Sequence, residues 1–199
     1  AGRSSCPNVP RPAQKIEDFC TLLPEGTRVY IAHIEGTPIE EMVATASRVA
    51  AEGFPVMPHF PARIIKDKAT LADWIARYQG EAGVDQALLL AGGVTRPYGD
   101  YESSMHLLES DLFGKAGFKH LHVAGHPEGN RDIDKDNSMK IVDEALQWKQ
   151  KYSETSDAKM AIATQFAFES APIIAWADRI RAAGIDIPIH IGIAGPAKL

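Results

Sequence analysis

Four times along this chain a helical pattern closes on glycine and runs straight into an apolar strand. The four junctions are Ala51-Glu52-Gly53-Phe54, Glu81-Ala82-Gly83-Val84, Lys115-Ala116-Gly117-Phe118 and Ala182-Ala183-Gly184-Ile185. Glycine enters the left-handed backbone region without a Cβ penalty, so it stops a helix sharply and releases the chain into the next element. Repetition of that junction predicts βα units and a parallel sheet, since parallel neighbours require a crossover long enough to hold a helix.

The first unit is read from residues 28–34 as a strand, with Pro38 at the first helical position and Thr37 and Glu40 forming a capping box. Ile39, Met42, Val43, Ala46, Val49 and Ala50 then make one apolar helical face. Further strands are expected at 55–59, 86–90, 120–124, 160–164 and 188–193, and helices near 71–79, 102–113, 138–152 and 171–182. Ser170 is the expected cap of the last helix, with Pro172 in its first turn.

Two α/β architectures satisfy six strands alternating with helices: a doubly wound open sheet and a (β/α)8 TIM barrel. The dinucleotide fingerprint of the first is missing, because Ala91-Gly92-Gly93 lacks the glycine spacing and helix start it needs. The barrel is the expectation, with the open sheet as its alternative. A complete barrel takes about 250 residues. With 199 residues and six strands, the expectation is a single barrel domain over 1–199, truncated or incompletely represented, its final units missing. Residues 1 to about 25, with Pro7, Pro10 and Pro12, are expected to be irregular.

Composition bears mainly on partners. A net charge of -5 with scattered basic residues gives no nucleic-acid footprint, and no apolar run reaches bilayer length. The expectation is a cytoplasmic protein acting on a small molecule, with no nucleic acid and no membrane partner, and compatible with a homo-oligomer. The start lacks the apolar centre of a secretory signal, and Cys6 and Cys20 are expected to be reduced thiols.

In a barrel the polar residues that matter lie at the carboxyl ends of strands. His33 and Glu35, His59, His126 and Glu128, and Gln165 all fall there. His120 and His122 lie near the start of their strand, so their His-x-His spacing is a weak signal for a metal-dependent hydrolase. No metal site is expected.

Several ordered motifs resemble the methylenetetrahydrofolate reductase family. They are Thr164-Gln165-Phe166, Ala183-Gly184-Ile185-Asp186 and Gly192-Ile193, with Ile191 where the family usually has proline. Pro58-His59, Tyr101 with Ser103 before Leu107-Leu108, and Gly125-His126-Pro127-Glu128-Gly129 extend the resemblance, as do Lys149 and Lys151 around Gln150. Histidine stands at 126 for the family's tyrosine and Asn130 for its histidine.

The resemblance implies a barrel reductase of one-carbon metabolism that makes 5-methyltetrahydrofolate from 5,10-methylenetetrahydrofolate with hydride from NAD(P)H. It implies folate contacts by Gln165, Phe166, Phe168, His59 and His126, and cofactor contacts by His59, Tyr101, His126 and Lys151. Glu35 and Glu128 are the candidates for the catalytic proton.

FAD is typical of the family, yet its Arg-Gly-Asp is here Ala91-Gly92-Gly93, a flavin-contacting threonine corresponds roughly to Ala32, and a phosphate-binding arginine to Gln150. These departures favour direct hydride transfer from the nicotinamide, as in a flavin-independent branch. The alternatives are a folate-dependent methyl transferase or folate-binding accessory protein, and, after them, the metal-dependent hydrolase.

Overall fold

The structure is a computed structural model that describes residues 23–193. Cys6, Cys20, Ala194, Gly195 and nearly all of the stretch expected to be irregular lie outside the described residues.

Six strands form one sheet: β1 (Val29–Ile31), β2 (Val56–Pro61), β3 (Gln86–Leu90), β4 (His120–Gly125), β5 (Lys159–Ala167) and β6 (Ile189–Ile193). Between them run α1 (Ile39–Ala51), α2 (Lys68–Ala82), the short α3 (Ser104–Glu109) and α4 (Leu112–Lys115), α5 (Lys140–Ser153) and α6 (Ser170–Ala182). The strands are ordered β1 to β6 in sequence, and every neighbouring pair is parallel.

That order decides between the two architectures. A doubly wound sheet reverses its winding at a switch point, whereas strictly sequential parallel strands with right-handed crossovers keep all helices on one face. The six described strands form a curled, all-parallel half-barrel, consistent with a partial TIM-barrel-like fold.

The predicted glycine stops hold: Gly53, Gly83, Gly117 and Gly184 have φ of 90°, 61°, 73° and 82°. Capping differs from expectation in two places. Pro38 is itself the N-cap of α1, and neither Thr37 nor Glu40 caps through its side chain. At α6 the N-cap is Glu169, while Ser170 is already the first helical residue.

The single helix expected over 102–113 is broken in two by Asp111, which sits at φ 58°. The α5 start owes its order to Asp134, only 2% exposed, whose carboxylate accepts from the Ile141 and Val142 amides at 2.8 and 3.1 Å.

Strand alternation sorts the side chains by face. Phe60 points toward the helices, its ring centroid 5.4 Å from Tyr78 and 5.0 Å from Phe113, and Leu89, Leu121, Val123 and Ile162 share that core. Gly125 ends β4 without a side chain because Ile162 and Trp176 occupy the space: a Cβ there would lie 2.4 Å from the former and 3.1 Å from the latter. The opposite face presents Tyr30, His59, Leu88, His122, Ala163 and His190. Among the described residues no helix is long and apolar enough to cross a membrane.

Candidate functional site

A cavity of about 510 Å³ opens on that second face at the carboxyl ends of β2 to β6. Its size suits a small organic ligand. The wall is mostly apolar, from Leu88, Leu90, Ala91, Ile133, Ala163 and Ile191, with polar groups from His59, Arg63, His126, Asn130, Asp132 and Gln165.

Gln165 reaches the rim through an irregularity. The β5–β6 register shifts between Ala163 and Phe166, as at a β-bulge, and the Gly192 amide donates to Thr164 Oγ1 at 2.9 Å. Gly192 is required by close approach, since a Cβ at that position would stand 2.9 Å from the Gln165 backbone. The Gln165 Oε1 accepts from the Phe166 amide at 3.1 Å, so its NH2 group keeps both protons for a ligand. Phe166 lines the cavity, and Phe168, 85% exposed, meets it edge to face at 5.8 Å without lining the wall.

His59 and His126 both line the cavity, as expected from their strand-end positions. Burial first, then the charge of His33, holds His59 down to about 4; burial and then Lys149 lower His126. Both imidazoles are therefore neutral at ordinary pH, each with one donor and one acceptor nitrogen.

Beneath them the Tyr30 hydroxyl bonds His122 Nδ1 at 2.7 Å, and the His122 ring packs 4.7 Å from that of His190. Burial, followed by His190, Arg28 and His120, holds His122 down to about 3. Sequence position marked His122 as remote from the mouth, and parity alone would have placed it on the His59 face. Among the described residues no three His, Cys, Asp or Glu side chains are grouped to hold a metal ion.

Like Phe168, the sequence-selected Glu35, Glu128, Tyr101 and Lys151 do not line the cavity. Glu35 is exposed and accepts from the Tyr98 hydroxyl; Glu128 is exposed in the loop after β4. Tyr101 is buried in the helix-facing core, and Lys151 is exposed on α5. The carboxylate that does line the wall is Asp132. It sits in the 126–139 loop, beyond the strand ends, where no local signal in the sequence marks it.

Lys149, rather than Lys151, is the lysine near this site: it is 6% exposed, lowered to about 8 by burial, and its charge is felt by His126. Gln150 accepts from the Asp186 and Ile187 amides at 2.9 and 3.2 Å, which commits it to the segment entering β6, at the opposite end from the cavity.

No family model matches the chain. Over 74 residues it is 44% identical to methylenetetrahydrofolate reductase 1 of Schizosaccharomyces pombe. The match covers 37% of this chain and spans 11% of that protein's length, so the similarity to such a reductase is partial.

Proposed function

We propose that the protein is a methylenetetrahydrofolate reductase-like oxidoreductase, reducing 5,10-methylenetetrahydrofolate to 5-methyltetrahydrofolate with NAD(P)H as hydride donor. The observation that carries the reading is Gln165, delivered to the rim of a barrel-end cavity by the β5 bulge and Gly192, in a chain similar to such a reductase.

The chemistry asks for three things. Ring opening takes a proton to N10 and leaves an iminium at N5; hydride then adds to the methylene carbon; and the two reactants must be held in line. The Gln165 amide donates to and accepts from the pterin edge, with Phe166 packed on a ring. Neutral His59 and His126 bound the space for hydride transfer without adding a positive charge that would oppose iminium formation. Asp132 takes the acid role assigned from sequence to Glu35 or Glu128, which do not face the cavity.

A flavin fits this cavity poorly. The β3 end is Ala91-Gly92-Gly93, with neither charge of the corresponding Arg-Gly-Asp, and Tyr101 and Lys151 do not line the wall. Direct transfer from the nicotinamide is the mechanism adopted.

The test uses the full-length protein. Oxidation of NADH or NADPH, followed by absorbance, should depend on added methylenetetrahydrofolate; no oxidation with either donor refutes the reaction. Flavin absorbance in the purified protein would overturn the direct transfer. Gln165→Ala should weaken folate binding about tenfold, the cost of one good hydrogen bond, with unchanged circular dichroism.

A further inference from the structure

Arg63 follows β2 in a short 3-10 turn, Ala62–Ile64, and lines the cavity at the edge opposite Gln165. Its Nε donates to the Glu102 carbonyl at 3.1 Å and its Nη1 to the Val94 carbonyl at 3.2 Å. Those two bonds hold the guanidinium against the loop that follows β3, and the same loop is fastened by Arg63 N–H to Ala91 O at 2.9 Å and Tyr98 N–H to Arg63 O at 2.8 Å. Among the described residues three of the five guanidinium protons have no acceptor, including both on Nη2.

Arg63 forms no salt bridge among the described residues, and Asp132, the other charged residue of the wall, is not within ion-pair distance. A cation fixed in advance, with no carboxylate paired to it among the described residues, at the edge of a mostly apolar cavity is built to receive an anion.

We propose that Arg63 anchors the glutamyl carboxylate of the folate, which makes the substrate class a pterin with an anionic tail. The inference rests on the folate reading above. Gln165 on β5 and Arg63 beyond β2 stand three strand spacings apart, about 10–14 Å across a curled sheet. A pterin joined through an aminobenzoyl group to glutamate places its carboxylate at a separation of that order.

The test is a binding titration of the full-length protein with tetrahydrofolate, with tetrahydropteroate, which lacks the glutamate, and with NADPH. The wild type should bind tetrahydrofolate about ten- to hundredfold more tightly than tetrahydropteroate, the range for a charge-assisted pair. Arg63→Ala should abolish that preference while leaving tetrahydropteroate affinity unchanged, which also shows the cavity intact. Arg63→Lys should recover part of it.

Equal affinity of the wild type for the two pterins overturns the anchor but leaves the folate reading standing. Loss of NADPH affinity in Arg63→Ala, with the folate preference retained, overturns the carboxylate assignment in favour of a phosphate. Failure of the wild type to bind either pterin overturns the folate reading, and this inference with it.

Discussion

Replacing His122 by asparagine should make the protein less sensitive to acid. His122 is 2% exposed, hydrogen-bonded through Nδ1 to the Tyr30 hydroxyl, and packed against His190. Its value falls from 6.5 in the unfolded chain to about 3 in the fold, through burial first and then through His190, Arg28 and His120. Between these limits the unfolded chain binds a proton that the folded chain refuses, so stability falls as pH falls. Above 6.5 neither state holds the proton and the full stability is present.

At about 1.4 kcal/mol for each unit, lowering the pH from 6.5 to about 4 removes about 3 kcal/mol through this one residue. His59, lowered to about 4, acts in the same direction and is unchanged in the variant. The packing lost in His122→Asn is independent of pH and shifts the whole curve without changing its slope. Urea unfolding at intervals from about pH 7 to about pH 4, with the slope m checked for constancy, measures both. The variant should lose about 3 kcal/mol less than the wild type over that range. Parallel stability curves would refute the burial of a neutral His122.

Gly125→Ala forces a methyl group against Ile162 and Trp176 and should cost about 1–3 kcal/mol, seen as a lower thermal midpoint; an unchanged midpoint would mean that α6 does not press on β4 there. Asp134→Ala removes both acceptors from the start of α5 and should cost about 1–2 kcal/mol, with faster amide exchange at Ile141 and Val142. If exchange there is unaltered, the cap is not formed. Asp132→Asn should lower kcat for methylenetetrahydrofolate reduction at least tenfold while Glu128→Gln leaves it near the wild-type value. The reverse ranking would return the proton role to Glu128.

The βα alternation was legible in the sequence because its signals are local. Gly53, Gly83, Gly117 and Gly184 stop helices through their own backbone freedom, and apolar spacing marks each buried face whatever the neighbouring elements do. That His59, His126 and Gln165 share one cavity is legible for a related reason: a strand's end is a position along the chain, and strand ends share one rim. Caps are less legible where several polar or proline residues compete for one junction, as at Pro38 and Glu169.

Strand order, curl and loop path belong to the tertiary structure. Only pairing in sequential order separates a barrel-like sheet from a doubly wound one, and that pairing joins residues dozens of positions apart. Only the folded loops take Glu35 and Glu128 away from the cavity and bring Arg63 and Asp132 to it, because a loop's course depends on what it packs against. Periodicity assigns a side chain to a face; packing decides what that face meets.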